Sequence, residues 1–282
     1  DPYTITSPYA LADFATLQYD QIGNVIFFAA GQALAARTLT RTAHTTWAFA
    51  LATFTWGPFG YVNDDPTRTI TPGATSGNDI AVVASKAAFA AADVGRHLAI
   101  KEGAPEQWGY GTIDQFTNST NARFDYAIAL LSAAATSTWK LAVFNHTDGA
   151  SGDNPYTVAI FDGRLWWGRS SAFAQTIWSS FAGQFTNYAD DDNLGIVTDL
   201  HAVSLGIASN TQIRIIWMKA GARALFLGTP TNIIAVSGAG GGAISPSSLE
   251  HKMASGFGTS QAIPVFGASE LFYIQRSKRR IR

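Results

Sequence analysis

The side chains suited to chemistry are few in this 282-residue chain, and the densest acidic group is one short segment. The carboxylate and amide oxygens that a calcium ion prefers come from Asp190, Asp191, Asp192, Asn193 and Asp199. Their spacing lacks the alternating ligands and the closing glutamate of an EF-hand loop. We therefore predict a solvated acidic loop at this position and no metal site.

Histidine and glycine patterns give no stronger indication of a metal or cofactor. The histidines show no metal-ligand spacing such as i, i+4. They are His44, His97, His146, His201 and His251. The glycines of residues 238–242 are not followed by the Lys-Ser/Thr of a phosphate loop, so we interpret them as a flexible β connection. The sequence therefore predicts no bound metal and no cofactor.

Signatures of catalysis are also weak. The chain has no Gly-x-Ser-x-Gly nucleophile elbow and no cysteine, which excludes thiolate nucleophiles and disulfide bonds. A catalytic triad can still be scattered through a sequence. Glycan cleavage would need two carboxylates at a defined separation, for which the candidates are Glu102, Glu106 and Asp114. Because glutamate is scarce throughout, we predict no catalytic residue and no enzymatic activity.

Aromatic side chains are concentrated at Trp166, Trp167, Trp178, Phe181 and Phe185. Such rings stack on sugars in lectin-like sites, and they also pack between β-sheets. Neighbouring residues of a strand face opposite sides of the sheet, so Trp166 and Trp167 are predicted to point in opposite directions. We favour packing between sheets and keep a glycan-stacking site at Trp166, Trp167 and Trp178 as the alternative.

Positive charge is concentrated at the end of the chain, whereas the net charge of −1 provides no overall field to attract nucleic acid. The basic run comprises Arg276, Lys278, Arg279, Arg280 and Arg282. Runs of this kind contact phosphate in some proteins, although most are solvated faces. The run is a candidate contact with DNA or with a neighbouring subunit, and solvation is the favoured interpretation.

The elements that must position these side chains repeat one pattern four times: strand, tight turn, aromatic strand, short loop and third strand. The segments are residues 15–39, 157–178, 213–236 and 263–281. Their β-branched and aromatic residues suit a pleated surface, and a turn of polar or small residues precedes each aromatic centre. A recurring antiparallel meander indicates a radial β architecture. We therefore predict an all-β fold, a partial β-propeller built of antiparallel meander blades.

A stretch of different texture interrupts the repeats. Glycine and proline punctuate residues 56–66, and the short predicted strands that follow are spaced as in a small barrel or sandwich, with one helical turn within 86–92. Three regions are predicted. They are 1–66, the first part of the propeller; 67–137, an inserted small β-barrel-like domain; and 138–282, the second part of the propeller.

The composition suits a chain that buries much of its surface. Charged residues make up 14% and hydrophobic residues 47%, which fits either a large β core or faces buried against other chains. No run is long and apolar enough to span a membrane, so we predict no membrane insertion by this segment. The chain starts with Asp1 and stops inside a strand-like segment, which leads us to expect a fragment of a longer protein.

Four groups of residues, taken in order, resemble a known family. They are the meander of residues 13–41, Asp93-Val94-Gly95-Arg96 with Trp108-Gly109-Tyr110, Phe161-Asp162-Gly163-Arg164-Leu165-Trp166-Trp167, and residues 175–188. Together they are similar to the large tail proteins of short-tailed bacteriophages, described as tail tubular protein B, nozzle or stabilisation proteins. Some members carry an inserted β domain called FCCH-like, and no ubiquitin chemistry follows from that label.

The resemblance implies a β-propeller with an inserted β module, assembled as a ring, a hexamer in the family, around the channel through which phage DNA leaves. It also implies contact with neighbouring tail proteins, transient passage of DNA, assembly in the host cytoplasm and location in the virion tail. Two alternatives stay open. One is a tail module that binds carbohydrate or a host receptor, and the other is a glycan-cleaving tail enzyme.

Overall fold

The computed structural model describes residues 3–145, 147–149, 153–207, 213–268 and 270–282. Within these residues the regular structure consists of twenty β-strands and three short 3₁₀ helices. The helices are Leu11–Ala15, Ala91–Asp93 and Ala239–Gly241. The strands pair with antiparallel neighbours in every sheet of the described part. The prediction of an all-β fold built of antiparallel sheets is therefore confirmed.

The chain begins with a four-stranded meander, the first meander sheet. Its strands are β1 (Gln18–Ile22), β2 (Val25–Ala29), β3 (Arg37–Ala43) and β4 (Thr46–Leu51). Gly23 and Asn24 connect β1 to β2, and Gly23 has a φ of 55°, a backbone conformation that suits glycine in a two-residue hairpin turn. Alternation along β2 directs Phe27 and Ala29 into the core.

Six strands then form a second kind of sheet, which curls into a half-barrel and is called the curled sheet. Its strands are β5 (Ile70–Pro72), β6 (Ile80–Ala84), β7 (His97–Glu102), β8 (Gln107–Asn118), β9 (Asn121–Ile128) and β10 (Trp139–Leu141), in the order β10-β7-β8-β9-β6-β5. Its interior is filled by side chains that are at most 1% exposed, among them Leu98, Ile113 and Phe124. Ile70 and Thr136 exchange two backbone hydrogen bonds of 2.8 and 2.9 Å, which draws the segment before β10 towards the opposite edge strand, β5.

The curled sheet extends beyond residue 137, because β10 pairs with β7. The sequence places this strand in the region that follows the insertion. Tertiary contacts explain the difference: the indole of Trp139 is buried in the curled sheet's core and donates a hydrogen bond to the Arg68 carbonyl at 3.2 Å. The backbone of β10 thereby reaches the otherwise open edge of β7.

The chain enters and leaves the curled sheet through one paired stem. The Val143 amide donates to the Pro58 carbonyl at 2.7 Å, and the Gly60 amide donates to the Leu141 carbonyl at 2.9 Å. A third bond of 2.8 Å runs from the Asn63 amide to the Trp139 carbonyl. The two chain segments of the stem are therefore held side by side by main-chain hydrogen bonds.

Two further meanders and a hairpin follow the stem. The second meander sheet contains β11 (Thr157–Phe161), β12 (Arg164–Gly168), β13 (Thr176–Ser179) and β14 (Ser204–Gly206). The third meander sheet contains β15 (Trp217–Ala220), β16 (Leu225–Gly228), β17 (Ile233–Ser237) and β18 (Glu250–Ser255). The terminal hairpin contains β19 (Val265–Gly267) and β20 (Glu270–Phe272). Strands are thus found in all four predicted repeats.

Two finer expectations differ from the structure. In the last repeat, β19 and β20 are followed by an isolated bridge between Ile274 and Ile281 instead of a regular third strand. The helical turn expected within 86–92 is a 3₁₀ helix at Ala91–Asp93. Asp93 explains that shift, because its carboxylate accepts a hydrogen bond of 2.7 Å from the Ala90 amide and so begins the turn later.

The meander sheets pack against one another in chain order. Their first strands, β1, β11 and β15, contact one another in succession. Between the first and second meander sheets lies an apolar cluster that includes Phe27, Val158 and Trp167. A second cluster, between the second and third meander sheets, includes Trp166 and Met218. The second meander sheet is therefore buried on both faces, and no closed ring of sheets exists within the described residues.

Replacing Trp167 by alanine should destabilise the protein by about 3–5 kcal/mol, because the indole is 1% exposed between two sheets and its loss leaves a cavity. The matched control is Trp47→Ala on the outer strand β4, where the ring is only partly buried and the expected cost is about 1 kcal/mol. Denaturant unfolding followed by far-ultraviolet circular dichroism measures both changes. Equal losses in the two variants would contradict the packing assignment.

Candidate functional site

The three tryptophans considered for sugar stacking are buried, at 0% exposure for Trp166, 1% for Trp167 and 2% for Trp178. Trp167 and Trp178 are cross-strand partners and face the first meander sheet, where Trp167 makes an edge contact with Phe27 at 6.3 Å between ring centroids. Trp166 faces the third meander sheet, and its indole donates to the Phe161 carbonyl at 3.2 Å. No ring face at these positions is open to a sugar, and packing accounts for all three residues.

The acidic loop that follows β13 is docked on the curled sheet instead of standing free in solvent. An oxygen of Asp190 lies 2.6 Å from the Lys140 ammonium group, which is itself only 3% exposed. The ammonium also lies 4.5 Å from the ring centroid of Trp108 and 4.9 Å from that of Phe59. The Lys140 charge is thus enclosed by one carboxylate and two aromatic faces, a favourable arrangement for a desolvated cation.

Neighbouring residues of the acidic loop extend this contact. We call the contacts of residues 190–193 with Lys140, Tyr110 and Trp108 the latch. The phenol of Tyr110 donates to Asp191 at 2.9 Å, and the Trp108 amide donates to the Asn193 carbonyl at 2.8 Å. Burial raises the pKa of the Asp191 carboxyl above its usual value, while Lys140 and the Tyr110 hydrogen bond oppose that shift. The prediction of a solvated loop is therefore wrong for these residues, because the sequence does not place Lys140 and Tyr110 beside them.

The carboxylates proposed as calcium ligands have other partners. Asp192 accepts the amide hydrogens of Leu194 and Ile196, both at 2.8 Å, and so closes its own turn. Asp199 accepts a hydrogen bond from the Ser247 hydroxyl, on the third meander sheet's side of the molecule. Among the described residues no group of three or more acidic or histidine side chains has the geometry to hold a metal ion.

Other candidate residues from the sequence have structural surroundings. The ring of His97 is buried against Trp56, and burial lowers the pKa of its imidazole. His201 accepts the Thr198 amide hydrogen at 2.8 Å, whereas His146 lies outside the described residues. Glu106 pairs with Lys101 at 3.2 Å on the curled sheet. Each of these contacts is local, and none points to a shared reaction centre.

Two adjoining cavities lie at the N-terminal ends of the first strands of the meander sheets. The first, of about 340 Å³, includes residues just before or at the start of β1, β11 and β15. The second, of about 550 Å³, shares Arg214, Ile216 and Gln261 with it. Among the described residues neither lining contains an aspartate or a glutamate, and four described cations contribute: Arg169, Arg214, Arg276 and Lys278. We call these spaces the cationic cavities.

Arg169 is the most constrained of the four cations. Its guanidinium carbon lies 3.8 Å from the ring centroid of Tyr156, and its backbone φ is 57°. Burial lowers the pKa of this guanidinium, and the nearby charge of Arg214 acts in the same direction. Tyr156 is in turn packed against Gly31, where an added Cβ would lie 2.8 Å from the ring. The position of Arg169 is therefore set by surrounding structure.

The terminal basic run is divided by the fold. Arg276 and Lys278 line the second cationic cavity, and Lys278 has a φ of 57°. Arg279 and Arg280 are exposed and do not belong to either lining. Arg282 stacks over the ring of Phe257 at 3.8 Å. Sequence reasoning identified Arg276 and Lys278 but missed Arg169 and Arg214, which are isolated in sequence and carry no motif.

Comparisons with known proteins add no further assignment. No protein-family model matches the chain, and a search of curated proteins returns no similar sequence. Within the described residues, no helix has the length and apolar character needed to cross a membrane. Any function is therefore inferred from the geometry of the described residues.

Replacing Asp190 by asparagine should lower the protein's free energy of unfolding by about 1–3 kcal/mol, because the enclosed Lys140 ammonium would lose its counter-charge. Partial exposure of Asp190 keeps the expected loss below that of a fully buried pair. Denaturant unfolding gives the total effect, and hydrogen exchange should show faster exchange of the β10 amides.

The matched control is Glu106→Gln, which removes the partner of Lys101 on the same sheet. That carboxylate is 67% exposed, so the change should stay within about 0.5 kcal/mol. Equal losses in the free energy of unfolding for the two variants would show that burial of Lys140 does not strengthen its ion pair.

Proposed function

We propose that this chain is a structural component of a bacteriophage tail, in which the three meander sheets and the terminal hairpin are blades of a β-propeller. The observation that carries the proposal is the contact of β1, β11 and β15 in succession, with an apolar cluster between each pair of neighbouring sheets. First strands side by side around an axis, with four-stranded antiparallel sheets packed face to face, are the arrangement of propeller blades.

The resemblance to nozzle-like tail proteins supplies the role. A ring of such subunits, hexameric in that family, would enclose the conduit through which DNA is ejected, and the curled sheet would be the inserted module. Neighbouring tail proteins are the expected partners, the virion tail is the expected location and the host cytoplasm the site of assembly. In this role the chain acts through shape and packing, and needs no catalytic group.

Exposed apolar side chains at the terminal hairpin support burial of that surface against another protein surface. Val265 is 62% exposed, Phe272 39% and Ile281 73%. Val265 and Phe272 are paired across the hairpin, and apolar side chains this exposed favour burial against a second surface. Assembly of subunits into a ring would bury these side chains.

Binding of carbohydrate through Trp166, Trp167 and Trp178 receives no support from their positions, because all three indoles are enclosed between sheets. A receptor-binding role would need another surface. Glycan cleavage would need two carboxylates facing each other across a cleft. The packing of the sheets therefore supports the propeller part of the proposal, and the resemblance supports the conduit role.

The test is the oligomeric state, measured by mass photometry together with negative-stain imaging. We expect closed rings with a central channel, alone or after addition of neighbouring tail proteins. Val265→Glu should reduce ring formation by placing a charge on the exposed apolar face, whereas Val83→Glu, at a 47% exposed position on the curled sheet, should leave it unchanged. A monomer that persists under all these conditions would contradict the proposal.

A further inference from the structure

We propose that the cationic cavities form a binding site for phosphate groups. Arg169, Arg214, Arg276 and Lys278 come from three separate stretches of the sequence and converge on two adjoining spaces. Positive charges that line two adjoining spaces, with no carboxylate among the described lining residues, favour a multiply charged oxyanion. The inference concerns this end of the molecule and does not depend on the chain forming a ring.

The four cations lack counter-charges among the described residues. Within the described part of the chain, none of the four cations forms an ion pair, whereas six ion pairs are found elsewhere in the described residues. Arg169 and Arg214 are close enough for the charge of Arg214 to lower the pKa of Arg169. An anion placed between these side chains would relieve that repulsion, because it attracts every member of the group.

Preorganisation of the cations also favours anion binding. The guanidinium of Arg169 is stacked on Tyr156, and one of its terminal nitrogens donates to the Ile215 carbonyl at 3.5 Å, so both contacts fix the position of the group. Arg169 and Lys278 both adopt left-handed backbone conformations that residues other than glycine rarely take. Such conformations persist where surrounding contacts impose them, and they are concentrated at binding sites.

Polar groups without charge complete the surface. Gln261 belongs to both linings, Thr16 lines the first cavity, and Ser260 and Thr231 line the second. Hydroxyl and amide donors of this kind complement arginine around phosphate oxygens. The two cavities, of about 340 and 550 Å³, are together larger than one phosphate ion, so a chain of linked phosphates fits the site better. Free polyphosphate and the backbone of single-stranded nucleic acid share this chemistry.

The experiment compares two double variants of the 282-residue chain that lose the same charge. Arg214→Gln with Arg276→Gln removes two exposed cations of the cavities that have no described side-chain hydrogen bond. Arg279→Gln with Arg280→Gln removes two exposed cations outside both linings. Far-ultraviolet circular dichroism and a thermal unfolding curve establish that both variants fold as the parent chain does.

The probes are tripolyphosphate, measured by calorimetry, and a short fluorescent oligothymidylate, measured by anisotropy at several salt concentrations. The cavity variant should weaken binding of both probes by roughly tenfold for each arginine lost. It should also lower the slope of log affinity against log salt for the oligonucleotide by about 1.4, since each single-strand phosphate contact contributes about 0.7. The control variant should retain the parent affinity.

The order of affinities identifies the source of the phosphate, and either order supports the site. Tighter binding of oligothymidylate than of tripolyphosphate indicates the nucleic-acid backbone, whereas the reverse indicates a free polyphosphate. Equal weakening in the cavity and control variants would overturn the proposal, because binding would then reflect diffuse positive charge. Failure of both probes to bind the parent chain at low salt would overturn it as well.

Discussion

The burial of both faces of the second meander sheet is the constraint on which the order of the other sheets depends. Trp167 and Trp166 are adjacent in β12 and pack in opposite directions, towards the first and the third meander sheets. A buried indole removes roughly 150–250 Å² from water, which is worth about 4–6 kcal/mol before the cost of ordering the side chain. Two such residues in one strand require a sheet on each side, so a two-layer arrangement would leave one of them in water.

The curled sheet is attached by a different kind of interaction. Its contacts with the second meander sheet's acidic loop combine an ion pair, two aromatic faces around Lys140 and the hydrogen bond from Tyr110 to Asp191. Directional contacts of this type fix the orientation of one body on another more tightly than apolar packing alone. Hydrophobic burial thus sets the order of the meander sheets, and polar contacts act together with an apolar cluster that includes Phe59 and Trp108 to place the curled sheet.

Local patterns predict most of the strands, except the third strand of the last repeat, and they do not predict which strands pair. Turns such as Asp162-Gly163, where both residues have positive φ, and the alternation along each strand are encoded in adjacent residues. The pairing of β10 with β7 depends on where Trp139 is buried, which adjacent residues do not encode. For the same reason the terminal arginines were recognisable as a run, whereas Arg169 and Arg214 acquire significance only when the strand ends meet.

The paired stem bears on how an inserted domain at this position could be replaced during evolution. Asn63 and Trp139 are joined by a main-chain hydrogen bond. The two chain segments that connect the curled sheet to the meander sheets therefore lie next to each other. A different module joined to these two segments would meet the same pair of adjacent chain ends, so the registers within the meander sheets need not change. The stem is thus the position at which a different inserted domain would require the least change in the meander sheets.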